Sequence, residues 1–196
     1  MAKKRRKPKM EFRYYQMSAG SPILALLGQK WVQNYGNGVD YLHFHNYLEI
    51  GYCYGGDGHM ILGEEEERFY GGIVTVIPPN YPHTTNSDIG TVSKWEYLFI
   101  DVEGFMKKFL DNPVKAEKVI QRIYSRVLFF EEKENLSISK KIRKIMDIMR
   151  DGEEFFLEEA KGVLAALLVE IARLNRDSGE DKVAEDAGKL TNMVTR

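Results

Sequence analysis

Residues 38–56 read GVDYLHFHNYLEIGYCYGG, and residues 72–86 read GIVTVIPPNYPHTTN. Both stretches are rich in Val, Ile, Tyr and Phe and are bounded by glycine or proline turns, a composition typical of β-strands. Further turn signals such as NYGNG, YGGDG and SDIG recur every 8 to 20 residues between positions 23 and 101. Turns at this spacing predict an antiparallel sandwich or barrel and argue against alternating βαβ units.

Four polar side chains in the first stretch have odd numbers: His43, His45, Tyr47 and Glu49. Residues of equal parity in an unbulged strand project to one side, so the four are predicted to share a face. Such a face cannot be a dry core unless its members bind one another, a metal or a ligand. With His83, which follows the turn PPNYP, three imidazoles and one carboxylate would suit a divalent metal such as Zn, Ni, Fe or Mn.

The run KWEYLFIDV, residues 94–102, is apolar on both of its faces. Trp95, Tyr97 and Phe99 share one side, whereas Leu98 and Ile100 share the other. A strand with two apolar faces is expected to be covered twice, here by a barrel interior and by a packed layer.

After residue 102 the apolar period changes from two to that of a helix. A short helical piece is followed by a helix that should begin at Asn112 as N-cap and Pro113 as first helical residue. A third helix is predicted from Ser137 or Ser139 to the pair at 151–152, and a fourth from about 153 to 175. Their amphipathic stripes predict an antiparallel hairpin that packs on the barrel, on a second chain, or on both.

Composition places the chain among folded globular proteins, with 43% hydrophobic residues. The overall net charge is −1, but residues 3–9 (KKRRKPK) carry six positive charges, so the remainder sums to −7, which argues against a nucleic-acid-binding body. Cys53 is the only cysteine, so an intramolecular disulfide is excluded. No apolar run predicts a signal peptide or a membrane span, and we expect a cytoplasmic protein.

Two motifs carry a resemblance to a known family. The pattern G-x4-H-x-H-x3-E-x6-G from Gly38 to Gly56 closely resembles the first cupin motif. The pattern G-x5-P-x-N-x2-H from Gly72 to His83 resembles the second, with Asn80 where glycine is usual. The resemblance implies a cupin-like double-stranded β-helix, or jelly-roll barrel. It places His43, His45, Glu49 and His83 at the family's metal-ligand positions.

The stretches 42–63, 76–87 and 93–102 together are similar to the N-terminal sensor domain of AraC-type transcriptional regulators. In the arabinose-responsive founder of that family, a histidine after the proline turn and a tryptophan on the next strand contact the sugar. His83 and Trp95 occupy the matching places here. Tyr47, Tyr81 and Tyr97 are further candidates for the ligand pocket.

The resemblance divides the chain into four parts: a basic, disordered arm (1–19), a sensor barrel (20–104), a helical dimerisation segment (105–176) and a linker or tail (177–196). Residues 10–15 of the arm could cover a pocket or a dimer surface. Members of the family carry two helix-turn-helix units after the sensor, and these 196 residues contain none. DNA contact is therefore expected only through a domain outside this chain.

Two functions are compatible with the sequence. The first is ligand sensing and homodimerisation in an AraC-type regulator, with a sugar as the first effector to consider and no cofactor required. The alternative is a metal-dependent cupin enzyme, an isomerase or dioxygenase, that uses the same three histidines and one glutamate. The long helical tail favours the first, because a minimal cupin enzyme does not need it.

Overall fold

The computed structural model describes residues 9–28, 32–33 and 41–176. The predicted disorder of residues 1–8, the predicted tail 177–196 and the motif residue Gly38 lie outside these ranges. The described residues form eleven strands and four helices. Ten strands precede the helices, and the eleventh lies between the second and third helices. The strands are β1 Lys9–Arg13, β2 Ile23–Leu26, β3 Val32–Gln33, β4 Tyr41–His45, β5 Leu48–Gly55, β6 Asp57–Leu62, β7 Glu65–Tyr70, β8 Ile73–Ile77, β9 His83–Ser87, β10 Ser93–Ile100 and β11 Leu128–Glu131.

The strands form two sheets whose inner faces meet. The first sheet has the order β1-β4-β9-β6-β7, and the second has the order β11-β8-β5-β10-β2, with β3 also paired to β10. Every described strand pair is antiparallel except β1 with β4. This architecture confirms the predicted β-barrel followed by helices.

Strand β10 shows how the layers are arranged. Trp95, Tyr97 and Phe99 belong to the apolar cluster between the two sheets. Leu98 and Ile100 belong to a second cluster, which joins the outer face of the second sheet to the helices. The prediction that both faces of this strand are covered is therefore confirmed.

The four helices are α1 Val102–Phe109, α2 Pro113–Tyr124, α3 Leu136–Asp151 and α4 Phe156–Leu174. Asn112 caps α2 as predicted, since its side chain accepts a hydrogen bond from the Lys115 N–H. Gly152 ends α3 in the left-handed conformation that glycine adopts without strain. The fourth helix begins a few residues later than predicted, after Phe155 at a φ of 62°.

Helices α3 and α4 form the predicted hairpin, and it packs on the barrel. Their apolar stripes, from Ile138 to Ile145 and from Ala160 to Ile171, are buried in the same cluster as Ile50 and Leu98 of the second sheet. Polar contacts join the same layers, because Tyr52 donates to Glu132, which also accepts from Arg143 of α3 at 3.1 Å. The stripes thus need no second chain to be buried.

Two elements differ from the sequence prediction. Strand β11 lies inside the segment 105–176 that was predicted to be helical, and it extends the second sheet by pairing with β8. Its four residues are too few to show a strand period against the helical pattern on either side. Strand β1 lies inside the predicted disordered arm and pairs with β4. Within the described residues, no helix is long and apolar enough to span a membrane.

Candidate functional site

The bend at residues 46–47 brings the predicted polar residues together from two sheets. His43 and His45 lie on β4 of the first sheet, whereas Glu49 lies on β5 of the second. The prediction of one continuous strand is wrong here, because the chain crosses between sheets at this bend. We call His43, His45, Glu49 and His83 the histidine cluster; their exposed fractions are 8%, 0%, 4% and 1%.

His83 enters the cluster at the first residue of β9. It pairs across the first sheet with His43, and the two ring centroids are 4.2 Å apart. The turn that delivers it depends on Asn80, which adopts a φ of 61° and donates its backbone N–H to the His45 carbonyl at 2.8 Å. Asparagine tolerates this left-handed conformation better than most residues, as predicted for its replacement of the usual glycine.

Backbone carbonyls fix the orientation of two imidazoles. His45 Nδ1 donates to the Tyr47 carbonyl and His83 Nδ1 donates to the Tyr81 carbonyl, each at 2.8 Å. Because a carbonyl only accepts, each Nδ1 carries hydrogen and each ring turns its Nε2 inward. The two Nε2 atoms lie 3.0 Å (His45) and 3.5 Å (His83) from Glu49 Oε2.

Burial and neighbouring charges shift the pKa values of two residues in the cluster, Glu49 and His43. Burial alone would raise the pKa of Glu49, but the charge of His83, 3.5 Å away, and the hydrogen bond from His45 hold that pKa well below its usual value. Burial, with the charge of His83 second, lowers the pKa of His43 to about 3. Near neutral pH Glu49 is therefore a carboxylate and His43 a neutral imidazole.

The geometry fits a divalent cation for three of the four predicted ligands. His43, Glu49 and His83 each offer one ligand atom, and these atoms lie within 4.8 Å of one another. His43 Nδ1 and His83 Nε2 are buried and make no hydrogen bond to the described chain. Imidazole nitrogen and carboxylate oxygen suit the ions Zn, Ni, Fe or Mn. His45 lies outside this triple and is bonded to Glu49.

Deeper in the barrel, Trp95 and Tyr97 present aromatic faces. Their rings are nearly parallel, with centroids 5.9 Å apart and planes at 9°, and Phe69 meets Trp95 edge to face at 5.1 Å. Gly51 makes room for them, since a Cβ there would lie 3.2 Å from each ring and 2.6 Å from Thr75 Oγ1. Trp95 Nε1 and Thr75 Oγ1 are buried without a hydrogen-bond partner among the described residues.

The two remaining candidates, Tyr47 and Tyr81, are partly buried and pack against the same apolar cluster between the sheets. The Tyr47 carbonyl accepts a hydrogen bond from His45, and the Tyr81 carbonyl accepts one from His83. The Tyr81 hydroxyl donates to the Leu62 carbonyl at 3.3 Å. Burial, with the nearby charge of Asp101, raises the pKa of Tyr47.

Sequence reasoning missed Tyr15, which covers the histidine cluster. Its ring stacks on Phe99 with centroids 3.9 Å apart and meets His45 edge to face at 5.9 Å. The Tyr15 N–H donates to Asn46 Oδ1 at 3.0 Å, and Asn46 Nδ2 donates back to the Tyr15 carbonyl at 3.1 Å. These contacts place the end of the predicted arm against the histidine cluster. No local pattern indicates this contact, because Asn46 lies 31 residues further along the chain.

Comparison with solved structures finds partial similarity to three crystal structures of two other proteins. An apo variant of ToxT from Vibrio cholerae matches with a TM-score of 0.49 and 10% sequence identity, over 80% of this chain and 58% of that one. Wild-type ToxT with a bound unsaturated fatty acid matches with a TM-score of 0.40 and 12% identity, over 81% of this chain and 58% of that one. The AraC-like transcriptional activator CuxR matches with a TM-score of 0.39 and 12% identity, over 68% of this chain and 45% of that one. This chain therefore spans less than two thirds of the length of each.

No curated protein sequence matches the chain. The family model described as AraC-like ligand binding domain matches residues 34–168, which is more than half of the chain and includes the histidine cluster, Trp95, α3 and most of α4. The resemblance of residues 42–63, 76–87 and 93–102 to the AraC-type sensor domain is thereby confirmed. The chain belongs to the AraC-like ligand binding domain family.

Proposed function

We propose that the chain is the small-molecule sensor of a cytoplasmic transcriptional regulator, and that an effector in the barrel controls DNA binding by a helix-turn-helix domain outside this chain. One observation carries the proposal: two polar atoms, Trp95 Nε1 and Thr75 Oγ1, are buried beside aromatic faces in the barrel with no hydrogen-bond partner in the described part of the chain. Leaving such an atom unpaired costs about 1–3 kcal/mol, which a polar ligand in the barrel would offset.

A sugar is the first effector class that we propose. Its C–H faces would pack on Trp95 and Tyr97, and its hydroxyls would pair with Trp95 Nε1, Thr75 Oγ1 and His83 Nε2. A fatty acid is the second class to test, because the interior also contains Met60 and Leu62 and because one ToxT structure holds an unsaturated fatty acid.

The path from the barrel to the helices would run through Glu96, which lies between Trp95 and Tyr97 on β10. Its side chain accepts from Arg150 of α3 at 2.6 Å and from the Gly28 N–H at 2.7 Å. A ligand that displaces β10 would therefore change the contact between the barrel and α3. It can shift the balance between two arrangements only by its difference in affinity for them.

Thermal unfolding against a panel of sugars and fatty acids tests the ligand site. We expect at least one compound to stabilise the wild type, by about 2.7 kcal/mol when its concentration is 100 times Kd. The double variant His83→Ala, Trp95→Ala should not respond, because it removes a hydrogen-bonding group and the aromatic face. His59→Ala, on an exposed side chain, should respond like the wild type. A panel without any stabilising member, or an equal response of the double variant, would count against the site.

The same assay tests a divalent cation, which is the basis of the alternative proposal of a cupin enzyme. His43, Glu49 and His83 would hold the ion, and a bound ion would polarise a substrate carbonyl or activate water. Protein purified without nickel affinity and treated with a chelator is titrated with Zn, Mn, Ni or Fe. Stoichiometric binding that is lost in His83→Ala favours this alternative, whereas the absence of any stabilisation by these ions removes it.

We also propose a homodimer through the exposed surface of the α3–α4 hairpin. Gly162, Val163 and Ala166 line a groove there, and small residues allow a second helix to approach closely. Ala166→Glu should convert the dimer to a monomer in sedimentation velocity, because a charge would be buried at the interface. Glu158→Ala, an exposed change on the same helix, serves as the control. A wild-type monomer at high concentration would refute this interface.

A further inference from the structure

A cavity outside the barrel has the dimensions of a second small-molecule site. Its volume is about 530 Å³, and it lies between residues 17–22, one side of α1 and the side of α4. Small-molecule pockets typically measure about 300–1,000 Å³. None of the histidine cluster, Trp95 or Tyr97 lines it, so it is separate from the site proposed above.

One wall of this outer cavity is aromatic. Phe105 and Phe109 lie one turn apart on α1, with ring centroids 5.8 Å apart and planes at 9°. Phe109 remains 50% exposed although it is a large apolar side chain. Met17 and Pro22 continue the apolar surface on the side of the arm. A flat apolar ligand would bury this surface against parallel rings.

Two lysines add positive charge to the lining of the outer cavity. Lys108 of α1 and Lys161 of α4 both border the outer cavity. Asp101 is the only carboxylate among the lining residues, and its Oδ1 already accepts from the Gly104 N–H at 2.9 Å as the cap of α1. The ion pair of Lys161 with Glu158 is long, at 3.5 Å. Two ammonium groups and one carboxylate therefore border the cavity, which leaves an excess of positive charge in its lining.

We propose that the outer cavity binds an aromatic carboxylate. The carboxylate would contact Lys108 and Lys161, and the ring would lie on Phe105 and Phe109. Residues 17–22 form the opposite wall and continue directly from Tyr15, which covers the histidine cluster. A ligand in the outer cavity would thus bridge the arm and the helices, as a second effector site outside the barrel.

Isothermal titration with 1-naphthoate tests the proposal, with the neutral 1-naphthalenemethanol as the uncharged counterpart. We expect 1-naphthoate to bind the wild type and to bind about tenfold more weakly to Lys108→Gln, Lys161→Gln, since each charge-assisted contact is lost. The double variant Lys115→Gln, Lys140→Gln makes the same change in net charge at exposed sites away from the cavity. It should bind 1-naphthoate as the wild type does, and the neutral alcohol should not distinguish the three proteins.

A second variant, Ser18→Trp, places a large side chain in the outer cavity at an exposed position. It should abolish binding while the melting temperature stays that of the wild type. Two results would overturn the proposal: no binding of 1-naphthoate at millimolar concentration, or binding that survives Ser18→Trp and is lost in His83→Ala, Trp95→Ala. The latter would place the anion in the barrel and support the sensor site instead.

Discussion

Replacement of Glu49 by alanine is expected to lower the free energy of unfolding by about 3–5 kcal/mol, the usual cost of removing one member of a buried ion pair. The Glu49 carboxylate is 4% exposed and lies 3.0 Å from His45 Nε2 and 3.5 Å from His83 Nε2. Without it, two buried imidazoles lose their common partner and a cavity is left between the sheets. Urea unfolding of the chelator-treated protein measures this loss.

Glu11→Ala is the matched control. Glu11 also pairs with a cation, Arg13 at 3.0 Å, but Glu11 is exposed and Arg13 is partly exposed. An exposed pair contributes about 0–1 kcal/mol, so this variant should unfold almost like the wild type. If Glu49→Ala cost no more than Glu11→Ala, the buried carboxylate would not be holding the histidine cluster together.

The stability of the ion-free protein should fall by about 1.4 kcal/mol for each pH unit between pH 6 and pH 5 because of His43. The folded-state pKa of His43 is lowered to about 3, first by burial, whereas the unfolded chain titrates near the ordinary value of 6.5. The unfolded state therefore binds more protons in this window. The contribution of His43 to stability is present above pH 6.5 and is lost as the pH falls towards 3.

The variant His43→Gln isolates this contribution, because glutamine does not titrate. Its unfolding free energy, measured by urea at several pH values with a chelator present, should change less steeply between pH 6 and pH 5 than that of the wild type. Glu49 acts in the same direction but at lower pH, since its depressed pKa gives stability that is lost only below about 4.5. Equal slopes for the two proteins would contradict the prediction, because they would mean that His43 binds protons equally in the folded and unfolded states.

These two predictions concern the same few atoms that the proposed ligand or ion would contact. A ligand that pairs with His43 Nδ1 or His83 Nε2 binds only the folded state, so it raises stability by linkage. The stabilisation by a ligand should be largest in the ion-free protein, in which His43 Nδ1 and His83 Nε2 have no hydrogen-bond partner among the described residues. Stability and sensing can therefore be measured in one unfolding experiment.

Much of the local structure was determined by the sequence alone, because it depends on near neighbours. The two faces of β10 follow from the parity of Trp95 and Leu98. The start of α2 at Asn112 and the end of α3 at Gly152 follow from capping chemistry. The positive φ of Asn80 is compatible with its residue type, since asparagine tolerates this conformation better than most residues. The two cupin motifs were also readable, since they are patterns of residue type at fixed spacing.

Only the tertiary structure decided how these pieces meet. An apolar stripe shows that a helix face is buried, but not against what; the α3–α4 stripes are covered by the second sheet of the same chain. Strand β11 depends on its partner β8, which lies some 50 residues earlier in the sequence. Because such contacts join distant positions, no local period reveals them.

The histidine cluster shows the same division. Residue types and spacing identified His43, His45, Glu49 and His83 as a set, but the bend at residues 46–47 places them on two sheets. In the folded structure, His43, Glu49 and His83 lie close enough to hold one ion, whereas His45 is a hydrogen-bond partner of Glu49. The sequence by itself named the chemistry of the site; the crossing of the chain between sheets, and the arm that brings Tyr15 over it, determined its shape.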